Sequence, residues 1–237
     1  MKALLLAAGF GTRLRPLTDR TPKCLLPIQG VPILKIWFAL CNQFEINEIL
    51  INVHSHGSAV RNFIEENRVG PKVYLSEETT LLGSAGTILA NRDWVGKDES
   101  FWVFYADVLT TTNLNRMLAF HNRSGQLATI GVYQVPDPSR CGIVQLDDDG
   151  VVREFVEKPK APCGNLAFSG LMLATPGLFE LIPEITPADL GFHVFPNIVG
   201  RMAAYRISEF LIDIGTPDTY REAQSSWPGL SQSQAIP

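Results

Sequence analysis

The chain is poor in the groups that carry most covalent and metal chemistry, with only four cysteines and four histidines in 237 residues. Cys24, Cys41, Cys141 and Cys163 form no C-x-x-C pair, which removes the common zinc and dithiol patterns and leaves reduced thiols as the expectation. No apolar stretch approaches the roughly 20 residues needed to cross a bilayer. The short run after Lys2 gives way to Gly9, so neither a signal peptide nor a membrane span is expected, and the cytoplasm is the expected location. Positive charge is not in excess either. A net charge of −4 with 19% charged residues argues against a nucleic-acid groove or an anionic membrane as partner. Two nucleotide signatures are also missing. No stretch matches G-x-x-x-x-G-K-[ST]; G-x-G-x-x-G fails because Leu14 stands at the third glycine and no isolated acid ends a second strand about 20 residues on, which counts against a hydride-transferring enzyme.

What is present begins at the first residues. Ala3 to Ala8 is a continuous apolar run that reads as a strand buried on both faces, and it opens into Gly9-Phe10-Gly11-Thr12. Glycines let backbone N–H groups approach an anion, and Arg13, Arg15 and Lys23 follow closely. Together they suggest a polyphosphate cradle; an ordinary surface turn with scattered cations is the competing reading.

The rest alternates strands and helices. A helix from Pro32 to Phe44, a strand over 48–53, a helix over 57–67 and a strand over 72–76 predict a parallel sheet covered by helices. His54 and His56 lie just past a strand end, where a solvated loop pair is favoured over a metal site. Leu81-Leu82-Gly83-Ser84-Ala85-Gly86-Thr87 leads into a short helix whose first amides could meet a base edge or a phosphate, or simply pack closely. Phe101 to Ala106 reads as a central strand ending in Asp107. A carboxylate there could hold a hard dication with phosphate oxygens, or cap the following element in competition with Asn113.

A helix over 113–124 and a strand over 127–135 precede a hairpin, Gly142 to Leu146 and Val151 to Val156, around the solvated turn Asp147-Asp148-Asp149-Gly150. Glu157 and Lys158 follow on an extended segment, where neighbours point to opposite sides. Helices are expected over 176–182 and 189–200, then a strand over 203–207. A second apolar run ends in Asp213, with Thr216 and Pro217 as N-cap and first residue of a closing helix. From Ser225 the composition predicts a frayed tail, which leaves residues 1–224 as one domain.

The string Leu6-Ala7-Ala8-Gly9-Phe10-Gly11-Thr12-Arg13-Leu14-Arg15-Pro16-Leu17-Thr18, with Thr21-Pro22-Lys23-Cys24-Leu25-Leu26-Pro27, resembles the signature of the sugar-1-phosphate nucleotidylyltransferases. The resemblance covers Met1 to about Ala223. It implies an α/β fold, a Rossmann-like three-layer α/β/α, GT-A-like domain with a mixed, mainly parallel central sheet. It further implies that Leu6, Ala8, Gly9, Gly11, Thr12, Arg13, Lys23, Glu77, Leu82, Gly83 and Asp107 bind the nucleoside triphosphate. Gly142, Glu157, Lys158, Asn165 and Gly170 would bind the sugar phosphate, Asn165 and also Ser169 being the weaker candidates, for sugar hydroxyls. Asp107 and Asp213 would bind Mg²⁺, and Arg13, Lys23, Asp107 and Asp213 would carry catalysis.

Leu82 and Glu77 look most like the guanylyl-transferring members, so GTP and mannose 1-phosphate, or a manno-configured relative such as a heptose 1-phosphate, are the expected substrates. Uridylyl or thymidylyl transfer to glucose or N-acetylhexosamine 1-phosphates, and a non-catalytic regulatory subunit, stand as alternatives. Two departures are visible: Tyr105-Ala106 where the family usually has glycine before the first aspartate, and Leu211 where most members have tryptophan. The C-terminal hexapeptide-repeat helix of many relatives has no counterpart, so a stand-alone catalytic domain is expected, with a homodimer compatible.

Overall fold

Ala3, Leu4 and Leu5 are fully buried, as a strand covered on both faces requires. In the computed structural model, which describes residues 1–67, 70–97 and 99–230, this run is the first of eleven strands and five helices used below. They are β1 (Lys2–Leu6), α1 (Ile33–Gln43), β2 (Glu48–Val53), α2 (Gly57–Glu66), β3 (Lys72–Glu77), α3 (Gly83–Ala90), β4 (Phe101–Tyr105), β5 (Val108–Thr110), α4 (Leu114–Ser124), β6 (Ala128–Gln134), β7 (Gly142–Leu146), β8 (Val152–Glu157), β9 (Leu166–Ala174), β10 (Met202–Arg206), β11 (Leu211–Asp213) and α5 (Pro217–Ser226). The expected α/β class with a mixed central sheet and flanking helices is the class found. None of the described helices is long and apolar enough to cross a membrane.

The described residues divide into two compact units: those within 1–81, 104–112 and 209–237 form the first, and those within 82–103 and 113–208 the second. In the first unit β1 and β3 both pair in parallel with β2, Leu5 opposite Ile51 and Leu75 opposite Ile51 on its other side. Helices α1 and α2 make the crossovers that parallel pairing demands. Seven of the eleven residues of α1 are buried; Trp37 among them stacks on Phe104 with ring centroids 4.7 Å apart. A short antiparallel ribbon, β5 with β11, sets Asp213 opposite Val108. Helix α5 has the expected Thr216 cap, with a capping box to Thr219. It runs to Ser226, and Trp227 is buried with its ring 5.4 Å from Phe210. Order therefore continues past Ser225, because an apolar anchor follows the polar residues; the expected tail over 231–237 lies outside the described residues.

The second unit is mainly antiparallel. Strand β9 pairs with β6 and β7, β7 forms the expected hairpin with β8, and β10 joins β6 in parallel. Two expected helices are not α-helices. Pro176–Leu181 is a 3₁₀ helix, and the segment after Asp189 is a π-helical turn, Leu190–Val194, followed by the 3₁₀ turn Phe195–Asn197. Pro196 lies inside the second and lacks the amide that a continuous α-helix needs, and Pro183 directly follows the first, where it disfavours α geometry at the extended Ile182.

Gly83 is the most constrained glycine of this unit. Its φ is +79°, and a Cβ there would lie 2.2 Å from the Ala188 carbonyl oxygen. Gly83→Ala is expected to cost about 2–4 kcal/mol of stability, from left-handed backbone plus backbone overlap. A denaturant midpoint within error of wild type would contradict this.

Candidate active site

The loop after β1 is anchored at both ends. The Ala7 amide donates to Asn52 Oδ1 at 2.7 Å, and Asn52 Nδ2 donates to Glu78 Oε1 at 2.8 Å. At the far side Leu14 is buried, while Gly9, Phe10, Thr12 and Arg13 stay exposed. Gly11 has φ +62° and leaves 3.0 Å between a would-be Cβ and Thr18 Cγ2, while the Thr18 hydroxyl donates to the Gly11 carbonyl at 2.8 Å. Glycine is required there by conformation and by space. Leu6 is half-buried and Ala8 buried beneath the loop.

Four charged groups converge beside it. Lys23 Nζ lies 2.5 Å from Asp107 Oδ2, with side chains 13% and 28% exposed. The Ile214 amide donates to the Asp107 carbonyl at 3.0 Å, so the ribbon ties both aspartates to one place. Gly215 has room for no Cβ, which would sit 2.5 Å from Asp213 Oδ1 and 3.1 Å from Arg13 Nη2. Arg13, Lys23, Asp107 and Asp213 thus form one cluster in the first unit. Asp213 is exposed to solvent on one side, yet the protein around it partly desolvates its carboxylate and pushes its pKa up. The Asp107 charge pushes the same way, against Lys23, the Gly215 amide and Arg13.

Among the described residues no three His, Cys, Asp or Glu side chains are placed to hold a metal ion on their own. Two facing carboxylates with cations beside them nevertheless suit Mg²⁺, which takes one or two carboxylates and completes its shell from waters and substrate phosphates. His54 serves structure: its Nδ1–H donates to the Glu78 carbonyl at 2.7 Å and its ring meets Phe10 edge-on at 5.3 Å.

Glu77, expected at the nucleotide, is instead exposed and paired with Arg61 of α2. Its neighbour Glu78 is the buried carboxylate, 7% exposed, and joins the Asn52 network. Strand alternation explains the exchange, because only one of two adjacent side chains can turn inward.

In the second unit, the first amides of α3 do not face outward for a base or phosphate. Those of Ala85 and Gly86 donate to the Ala188 carbonyl at 3.0 and 3.1 Å, and Ala188 N donates to the Leu82 carbonyl at 2.8 Å. Leu82 and Gly83 therefore dock the 188 segment. The Ser84 hydroxyl donates to Asp189 Oδ2 at 3.0 Å and accepts from the Leu190 amide at 2.8 Å.

Glu157 and Lys158 do not point apart. Lys158 adopts φ +50°, its amide donates to the Cys141 carbonyl at 2.9 Å, and its Nζ comes within 3.5 Å of Glu157 Oε1. The Glu157 carboxylate fills the space beside two glycines: a Cβ would fall 2.7 Å from Oε2 at Gly142 and 2.4 Å at Gly191. Gly170 has φ +81° within the irregular stretch of β9 where the register against β6 shifts between Phe168 and Met172. Asn165 is exposed, and its carbonyl accepts from the Val135 amide at 2.9 Å. Ser169 is not available for a sugar hydroxyl; it is buried and its Oγ accepts from the Leu171 amide at 3.2 Å. Residues that the sequence pattern did not single out are Asn52, Glu78, Gly215, Asp189 and Gly191. Only Asn52, a lone amide in the apolar run Glu48–Val53, carried a signal.

Burial raises the pKa of Glu157, Asp189 adds to it, and Lys158 opposes both. The folded protein holds that proton more tightly than the unfolded chain, so this group's contribution to stability falls as pH rises from the ordinary carboxylate value of 4.5 through the raised one. Glu157→Gln is expected to gain melting temperature relative to wild type as pH rises through that window. A difference that stays flat or shrinks would contradict the assignment.

Comparison with known proteins matches these features. The model of the nucleotidyl transferase family matches residues 2–228. Mannose-1-phosphate guanylyltransferase 1 of Arabidopsis thaliana is 35% identical over 93% of this chain and 63% of its own length. The mannose-1-phosphate guanylyltransferase catalytic subunit beta of Dictyostelium discoideum is 33% identical over 93% and 62%. The chain thus spans somewhat under two thirds of these curated relatives. Among solved structures, UDP-glucose pyrophosphorylase from Acinetobacter baumanii superposes with a TM-score of 0.80 at 24% identity, covering 94% of this chain and 91% of that one. The glycine loop, the paired aspartates with their cations, and a match running almost end to end all say that this chain belongs to the nucleotidyl transferase family.

Proposed function

We propose that the chain transfers a guanylyl group from GTP to mannose 1-phosphate or a manno-configured relative, giving a GDP-sugar and pyrophosphate. The observation that carries this is the meeting of Asp107, Asp213, Lys23 and Arg13 beside the glycine loop. The guanylyl and mannose assignments are supported by the names of relatives 33–35% identical to this chain.

A sugar 1-phosphate is an ionised oxygen nucleophile and needs no serine, cysteine or histidine to activate it. Its phosphate oxygen attacks the α-phosphorus of GTP; the bond from that phosphorus to the α,β-bridging oxygen breaks, and pyrophosphate leaves with the electron pair. The barrier lies in gathering polyanions and in stabilising charge on the transferring group. Lys23 and Arg13 meet that charge at the triphosphate, while Gly9, Gly11 and Thr12 let the backbone come close to it. Asp107 and Asp213 would hold Mg²⁺, which would supply neutralisation of charge on the phosphate oxygens. In the second unit Lys158 receives the sugar phosphate, Glu157 the sugar hydroxyls, and Gly142 and Gly170 keep the approach open.

The test is pyrophosphate release from GTP, UTP, dTTP, CTP and ATP with Mg²⁺, each against mannose, glucose, heptose and N-acetylhexosamine 1-phosphates. Release with GTP and a manno-configured phosphate, abolished by chelator, is expected. Release confined to UTP or dTTP would overturn the base assignment, and silence across the panel would overturn the enzyme reading.

A further inference from the structure

Phe192 is 53% exposed at the surface of the second unit. A phenyl ring so open to water is held against the hydrophobic effect, and here its position is fixed by its neighbours. Asp189 Oδ1 accepts from the amides of Gly191 and Phe192 at 2.8 and 3.3 Å, and the Asp189 amide donates to His193 Nδ1 at 2.9 Å. The turn they close is the π-helical one over Leu190–Val194.

Two features link this turn to the charged pair on the neighbouring strand. Gly191 abuts the Glu157 carboxylate, which a Cβ would approach to 2.4 Å. The Lys158 ammonium lies 5.4 Å from the centre of the Phe192 ring, within the range where a cation is attracted to an aromatic face. An ammonium, a carboxylate and an exposed ring therefore share one patch. A pyranose 1-phosphate offers the matching set: an anion, hydroxyl groups and an apolar face of C–H bonds.

We propose that Phe192 is a specificity-determining residue, its ring forming the apolar wall against which the sugar ring of the 1-phosphate packs beside Glu157 and Lys158. This rests on the function proposed above. The Lys158 side chain is 57% exposed, so its ammonium stays open to a sugar phosphate while it lies over the ring.

The experiment compares wild type, Phe192→Ala and Phe192→Trp by steady-state kinetics with GTP and mannose 1-phosphate and by calorimetry with GDP-mannose and with GTP alone. Phe192→Ala is expected to raise KM for mannose 1-phosphate and weaken GDP-mannose about tenfold. KM and affinity for GTP should stay within about twofold, the scatter ordinary in such comparisons. Phe192→Trp, which keeps an aromatic face, should recover most of the loss. Thermal melting shows whether the alanine variant is folded, and Trp provides the intact-turn control. Unchanged sugar-phosphate KM and GDP-mannose affinity in Phe192→Ala, or an equal loss for GTP, would overturn the proposal while leaving the transferase reading standing. Wild type that neither turns over nor binds GDP-mannose would instead overturn the reading on which it rests.

Discussion

Replacing Asp213 by asparagine should lower guanylyl transfer by about 10²- to 10³-fold, the scale of losing one preorganised electrostatic contact at a reacting phosphate. The same change should make the metal-free protein more stable. Asp213 is a carboxylate whose ionisation is opposed by its surroundings and by Asp107, so removing its charge relieves repulsion. Asparagine keeps the side-chain oxygen that accepts from the Gly215 amide. Activity and stability thus move in opposite directions, which a merely structural aspartate would not produce. In melting experiments with GTP present, Mg²⁺ should raise the transition of wild type and leave that of Asp213→Asn nearly unmoved. Retained activity, or a metal-free variant less stable than wild type, would contradict the role assigned to Asp213.

Lys23→Ala is expected to cost a similar factor in turnover, again about 10²- to 10³-fold, with the opposite effect on stability. Lys23 is mostly shielded and holds Asp107 at 2.5 Å. Truncating it leaves two neighbouring carboxylates with one cation fewer, so the folded state weakens as well. Adding Asp107→Asn should recover part of that stability but none of the activity, because the pair is coupled and the proposed chemistry needs Lys23 at the phosphates and Asp107 at the metal. If the double variant were no more stable than Lys23→Ala, the ion pair would not be the source of the loss. Arginine is a poor substitute here, since its planar fork cannot replace a compact ammonium against one carboxylate oxygen.

The parts of this site that sequence made legible are those fixed by strand ends. Asp107 and Asp213 each close an apolar run, buried before Asp107 and half-buried before Asp213, and the ribbon of β5 and β11 brings the two together. The Gly11 turn was readable because glycine adjoins a buried strand, and the helix cap at Thr216 because its signal is local.

What was not legible depends on contacts distant in the chain or on unusual backbone. Glu77 and Glu78 are indistinguishable until the register of β3 against β2 turns one outward, where it pairs with Arg61, and the other toward Asn52. The amides at the start of α3 looked available, but the Ala188 carbonyl, a hundred residues on, accepts from two of them. Lys158 was read as extended, and a lysine at φ +50° has no sequence signature. Pro183 directly behind one expected helix and Pro196 within the other work against continuous α geometry, and the turn found in the second is the one that displays Phe192.

The most direct test of the account is phosphorus NMR of GTP, mannose 1-phosphate and Mg²⁺ with the purified protein. The two phosphorus signals of GDP-mannose and the single line of pyrophosphate are expected to grow together in equal amounts, chelator to stop both, and Asp213→Asn to slow both alike. Pyrophosphate appearing without sugar nucleotide, or GTP persisting beside unconsumed mannose 1-phosphate, would contradict it.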